Sequence, residues 1–285
     1  DQGQVDALAA DLLGGDGIGP DLSRLVQRTA EGNPLYLEEI LKALRQAGRI
    51  WYEGSRARLK DPQVDPQLPD TLQGLIAARV DALDPLAKGA LQVGAIIGLG
   101  FSSPLLGEAV GADEPHALVG ELVRSGLIVP DGRSPDTAFS FASVLVWDCV
   151  NRGILGVQRR EYHRMVAAAM ERVFANRLDT VGEAWAGHCH AAGRSRDAVL
   201  AILRAGETHR EGQFFERALE CFLRGIAWHD AAPRAERDSQ IEAKLHVAAG
   251  EVAWMLGVAS AERMLSVALD IAQDAGPRIC EARAQ

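Results

Sequence analysis

Lysine is scarce in this chain. Only Lys42, Lys60, Lys88 and Lys244 occur among its 30 basic side chains, the other 26 being arginine, a bias we assign to coding composition. Cysteine is scarce too: Cys149, Cys189, Cys221 and Cys280 lie far apart with no CxxC pair. That spacing points to neither a disulfide framework nor a zinc ribbon, and it fits a reducing compartment. No apolar run approaches the roughly 18 residues that a membrane span needs. The longest, Ala90 to Phe101, carries Gln92 and three glycines, and reads as a buried helix running into a turn. A GxxxxGK(S/T) phosphate loop is missing. So are an initiator Met and a signal peptide, the chain opening on Asp1-Gln2-Gly3. Such a start leads us to expect a piece of a longer polypeptide, the alternative being a trimmed complete domain. The net charge of −9, with a pI near 5.3, leaves no broad basic face for a phosphate backbone.

What is present is a chain of 285 residues, 47% hydrophobic, long enough for two or three domains with their own cores. Helix signals are dense and strand signals sparse, so the expected fold class is mainly α. Val5 to Leu13 is a short amphipathic helix stopped by Gly14-Gly15. Leu22, Leu25 and Val26 mark one face of the next, which ends at Ala30. Glu31-Gly32-Asn33 breaks it, Pro34 suits the first position of a third, and Gly48 ends that one. Arg49 to Glu53 and Ala57 to Lys60 read as a small hairpin, and the three prolines of Asp61 to Pro69 as an extended linker. Helices are predicted over Leu72–Leu83, Pro85–Ile97, Ser103–Val110 and Glu114–Ser125. Strands then follow near Gly126–Val129 and Thr137–Phe141, the element order of a winged helix with a small β ribbon. From Ser143 onward the pattern is helical hairpins, Ser143–Leu155 with Gln158–Arg177, Thr180–Ala192 with Arg196–Gly212, and Phe214–His229 with Asp238–Leu256, closed by Ser260–Ala275. Ala205-Gly206-Glu207 and Ala249-Gly250-Glu251 resemble each other at a period of about 44, longer than the roughly 34 of tetratricopeptide units. Small residues at these spacings let paired helices approach closely. The expected domains are 1–67, a helical lid; 68–142, a winged helix; and 143–285, antiparallel, tetratricopeptide-like helical-hairpin repeats.

Catalytic and metal constellations find little support. Gly14 to Gly19 follows a helix, lacks lysine, and places Asp16 where a phosphate would be repelled, so it reads as a flexible turn; Gly98-Leu99-Gly100 reads as a helix-ending turn. Glu38 and Glu39 point to different sides of one helix, so at most one faces any pocket. In His188-Cys189-His190 the two imidazoles diverge by about 200° on a helix and cannot share an ion. Ser143, Asp148 and His163 come without a nucleophile elbow. The chain is therefore expected not to be an enzyme by itself, with no catalytic residues and no metal. Gly32-Asn33-Pro34 is the exception of interest, a rigid turn at a helix start where backbone N–H groups and the positive dipole end face outward. It serves either as the edge of a nucleotide pocket supplied by another domain or as a capped structural turn.

The stretch Leu22 to Ala47, containing GNPLYLEE, resembles the lid helices that follow the nucleotide-binding core in STAND-class signalling ATPases. These are relatives of the AAA-type modules fused to class III adenylate/guanylate cyclases, to serine/threonine kinases and to LuxR-type regulators. Leu68-Pro69-Asp70-Thr71-Leu72, Arg79-Val80-Asp81, Gly126-Leu127-Ile128, Phe139-Ser140-Phe141 and Arg159-Arg160-Glu161-Tyr162-His163 follow in the family's order, so the resemblance covers nearly the whole chain. It implies that Pro34 lies against bound nucleotide, with Gly32 and Asn33 shaping the turn. The family's His after the FxF strand, a sensor of the diphosphate, corresponds here to Ser143, and an aromatic further along to Asn151. A hydroxyl donates one hydrogen bond but carries no imidazolium charge.

The expected function follows: the regulatory segment of a cytoplasmic, ATP-dependent STAND-type switch, coupling nucleotide state to a helical-repeat region that binds a protein partner. Its ATP or ADP is bound by an upstream domain of the same polypeptide, and no cofactor is expected for this chain alone. The alternative is a free-standing helical-repeat scaffold, with Trp185, Phe214, Phe215, Trp228 and Trp254 as its aromatic contacts. Nucleic acid and membrane are not expected partners. The presumptive recognition helix, Glu114 to Ser125, holds two glutamates against one arginine.

Overall fold

A computed structural model describes residues 2–30, 34–60, 72–112, 115–134 and 137–274. Gly32, Asn33, the proline-rich stretch 61–71, Glu114 and Cys280 lie outside the described residues. The protein is mainly α, and it divides into two compact units, 1–154 and 155–285.

The first unit opens with the lid: α1 (Gln2–Leu13), β1 (Gly17–Ile18), α2 (Pro20–Ala30), α3 (Pro34–Gln46), β2 (Ile50–Glu53) and β3 (Arg56–Leu59). Leu22, Leu25 and Val26 of α2 and Leu37, Ile40, Leu41 and Leu44 of α3 recur at helical spacing and form one core with Ala9, Leu13, Ala57 and Leu59. Within the glycine run expected to be a flexible turn, Gly17–Ile18 is instead an edge strand of a sheet ordered β1-β3-β2, with β1 parallel to β3. Asp16 N–H donates to the Ser55 carbonyl at 3.0 Å, and Gly19 N–H to that of Ala57 at 2.7 Å. A Cβ added at Gly15 would lie 2.5 Å from the Ser55 carbonyl oxygen, so this backbone approach requires glycine. Two paired residues carry no periodicity, and this is why the strand escaped the sequence.

The winged helix follows as α4 (Leu72–Asp81), α5 (Pro85–Ile97), β4 (Gly100–Phe101), α6 (Ser103–Val110), α7 (Pro115–Arg124), β5 (Ile128–Ser134), β6 (Thr137–Phe141) and α8 (Val144–Arg152). Asp84 caps α5, accepting from Leu86 N–H at 2.8 Å and Ala87 N–H at 3.1 Å, with Pro85 at the first helical position. Helix α5 is buried from Ala90 to Ile96. The ribbon has three strands, not two: Gly100–Phe101 pairs antiparallel with β6 in the order β4-β6-β5. Phe101 then meets Phe141 edge-on at 6.0 Å. Strand β5 continues to Ser134, past the expected end near Val129, with an irregular register between Pro130 and Ser134. Helix α8 packs on α4 and α5, inside this first unit, and Trp147 Nε1 donates to the Ala95 carbonyl at 3.0 Å.

The second unit is a run of helices, α9 (Gly156–Val173), α10 (Gly182–Ala191), α11 (Ser195–Glu211), α12 (Phe215–Ala231), α13 (Ser239–Met255) and α14 (Ala261–Asp274), each packed on its neighbours in sequence. Since α8 lies in the first unit, α9 packs against α10. The 44-residue period is physical. A Cβ on Gly206 of α11 would lie 2.4 Å from the Phe222 ring of α12, and one on Gly250 of α13 would lie 2.6 Å from Leu265 of α14. The turn between α11 and α12 places Gln213 at φ 63, where the next repeat has Gly257 at φ 67, again 44 residues on. Gln213, not the preceding Gly212, therefore occupies the place that Gly257 has in the next repeat. A left-handed non-glycine residue is strained, so Gln213→Gly is expected to raise stability by about 0.5–1 kcal/mol in urea unfolding. An unchanged or lower stability would contradict this assignment.

Candidate functional site

Helix α3 carries the resemblance motif. Pro34 is its first residue and is exposed, while Leu37, Ile40, Leu41 and Leu44 turn into the lid core. Of the adjacent glutamates, Glu38 pairs on the surface with Lys42 at 2.6 Å, and Glu39 points inward with a side chain 3% exposed. Glu39 meets Arg79 of α4, whose Nη1 donates to its Oε2. Arg79 Nη2 donates to the Ser125 carbonyl at 2.9 Å, just past α7, and Lys42 Nζ stands 3.2 Å from the other Glu39 oxygen. Burial pulls the Arg79 pKa below its ordinary value, and the Glu39 carboxylate works against that pull. Helix geometry in the sequence allows one inward glutamate, but not its pairing with Arg79, because 40 residues separate the two.

Ser143 heads a different helix, α8, where its Oγ accepts from Val146 N–H at 3.2 Å as an N-cap. Ser143, which the resemblance sets at the family's imidazole, is thus engaged in starting a helix. Asn151 lies half-buried in the last turn of α8. Burial pushes the Cys149 thiol above its usual range. On α7, Glu121 stands against Asp84, which raises its pKa and places paired carboxyls where a DNA-reading helix would need cations.

In the second unit the three residues His188-Cys189-His190 face three ways. His188 Nδ1 lies 2.9 Å from His163 Nδ1, Cys189 is fully buried, and His190 stacks flat on Trp228 at 4.4 Å. Burial, then the neighbouring His163, brings the His188 pKa down to about 4, and burial pushes Cys189 up to about 12. Two groups of potential metal ligands occur among the described residues, and their chemistry opposes an ion. Glu183, beside His209 and Cys221, is already held by Arg224 at 2.7 Å and Arg217 at 3.0 Å. In the other group, with Asp230 and Glu242, His229 Nε2 accepts from Asp238 N–H at 3.1 Å. The proton must then reside on Nδ1, the atom facing Asp230, which leaves no lone pair for a metal. Of the five aromatics, Phe214 and Trp254 are exposed at 65% and 64%, while Trp228 lies between His190 and Arg224. An open groove of about 520 Å³ between the α10–α11 and α12–α13 loops offers Arg194, Arg196 and Arg237 against Asp197, Glu236 and Asp238, so its charges cancel. No helix among the described residues is long and apolar enough to cross a membrane.

Residues 1–58 match a family described as a domain of unknown function (DUF8739). An uncharacterized protein of Rhizobium meliloti (strain 1021), R02095, is 26% identical to this chain over 213 residues, 70% of this chain and 20% of that protein. The chain therefore spans about a fifth of the length of that relative. Among solved structures, a Signal Transduction ATPase with Numerous Domains (STAND) protein with a tetratricopeptide repeat sensor, from Pyrococcus horikoshii, is similar over 96% of this chain and 41% of its own. The identity is 13% and the TM-score 0.42.

Proposed function

We propose that this chain is the regulatory segment of an ATP-dependent STAND-type switch, its lid and winged helix reporting nucleotide state to the helical repeats. The observation that carries the reading is the placement of Pro34: exposed, at the first position of a 13-residue helix whose apolar face is sunk in the lid core. The first N–H groups of a helix lack partners inside it and sit at its positive end, which suits a phosphate offered by a neighbouring domain. Gly32 and Asn33 complete that turn in the sequence motif. The Ser143 hydroxyl, whose oxygen serves as a cap, keeps one proton to donate and cannot carry charge, so it would contribute a neutral contact where the family has an imidazole. In this reading a nucleotide-binding domain upstream in the same polypeptide holds the ATP or ADP.

Calorimetry tests this. The chain alone is expected to give no measurable heat with ATP or ADP, whereas a polypeptide extended upstream through its phosphate loop binds in the micromolar range and loses affinity on Pro34→Gly. Micromolar binding by the chain alone, or an upstream reading frame without a GxxxxGK(S/T) loop, overturns the proposal. The exposed Phe214 and Trp254 favour a second reading, a helical-repeat scaffold for a protein partner with no nucleotide role. An upstream reading frame without that loop would be its signature.

A further inference from the structure

We infer that the buried Glu39–Arg79 pair is a latch that fastens the lid to the winged helix and releases as a unit; its part in signalling rests on the function proposed above. Three elements meet at it. Glu39 comes from α3, Arg79 from α4, and the Ser125 carbonyl, 2.9 Å from Arg79 Nη2, from the end of α7. Both charged side chains are 3% exposed. The chain past α7 turns beside the guanidinium at Gly126, whose φ of 65 favours glycine, and a Cβ there would stand in contact with Arg79 Nη2 at 3.4 Å. A half-open pair leaves the Arg79 guanidinium removed from water without its carboxylate, while Glu39 keeps only Lys42, a part-exposed partner on its own helix. With Leu75 of α4 packed into the lid core beside the pair, the joint has two arrangements, both contacts closed or both opened to solvent, and a bistable contact is what a switch needs. Glu39 lies little more than one turn beyond Pro34 on the same helix, so whatever holds the head of α3 acts on the latch through a rigid element.

Hydrogen exchange on the full chain without nucleotide tests the latch in the wild type, Glu39→Gln, Arg79→Gln, the Gln/Gln double variant, and the apolar pair Glu39→Leu with Arg79→Met. Each single change is expected to speed exchange in α1–α3 at least tenfold while α5 keeps its protection. The Gln/Gln double should open no further than either single, and the apolar pair should restore protection. Arg79→Lys keeps the charge and loses the fork to Ser125, and serves as the milder variant should a neutral one not fold; a few-fold rise confined to α1–α3 is expected. Additive effects, or α5 losing protection in step with α3, would mean one cooperative core and no latch. In the polypeptide extended upstream, ATP should slow α3 exchange in the wild type and not in Glu39→Gln. If the first arm holds and ATP changes nothing, the latch stands and the nucleotide reading falls.

Discussion

Phe222→Ala is expected to lower the stability of the helical-repeat unit by about 3–5 kcal/mol, and Gly206→Ala by about 1–3 kcal/mol, the second loss vanishing in the presence of the first. Phe222 is fully buried and packs with Val199, Ala218, Ile241 and Leu245 across three helices. Removing its ring leaves a cavity that a rigid hairpin stack closes only in part. Gly206 is small because of that ring: a Cβ there would stand 2.4 Å from Phe222 Cε1 and 2.7 Å from Cδ1. Helix propensity pulls the other way, since alanine is better than glycine inside a helix by about 1 kcal/mol. The sign of Gly206→Ala thus decides whether close packing or propensity rules at this crossing, and we expect packing to win. With Phe222 truncated, the added methyl enters the vacated space and the propensity gain remains. Hydrogen exchange of α11 and α12 amides at increasing urea, over the four proteins of the cycle, isolates the coupling. A stabilising Gly206→Ala in the wild-type background, or additive losses, would refute this account.

The same unit is expected to weaken by roughly 3 kcal/mol as pH falls from about 6.5 to about 4. The folded His188 has its pKa drawn down to about 4, first by burial and then by His163 beside it. An unfolded histidine titrates near 6.5, so between the two values the unfolded chain binds a proton that the folded chain refuses. Stability is therefore full above pH 6.5, and it drains away as the pH approaches 4. His163, His190 and His246 are also held low by burial and push in the same direction. Carboxylates titrate lower, so the interval from pH 7 to 5 reports chiefly the histidines. Urea unfolding across that interval should slope downward, and His188→Gln should remove most of the slope whatever it does to stability at pH 7. A flat profile in the wild type would show that the ring is not the cost.

Much of this was legible in the sequence where the signal is local. The helices of the repeat unit lie within a few residues of their predicted spans, because apolar residues recurring at helical spacing state both the helix and its buried face. The mismatch of His188, Cys189 and His190 followed from the same geometry. So did the close approach at Gly206 and Gly250, though not the identity of the side chains that meet them. The two-residue strands Gly17–Ile18 and Gly100–Phe101 did not follow, since their evidence is a partner about 40 residues away in each case. The grouping of α8 was not legible either: an amphipathic helix is equally at home in a repeat or against α4 and α5.

By itself, then, the sequence determined a mainly helical chain, where its helices run, and which face of each is buried, because those properties depend on residues within a turn or two of one another. Only the tertiary structure decided that Glu39 meets Arg79, that Gln213 takes the left-handed place of a glycine, and that His188 turns to His163. Those outcomes depend on which surfaces meet, and that choice is made by the summed packing of segments far apart in the chain.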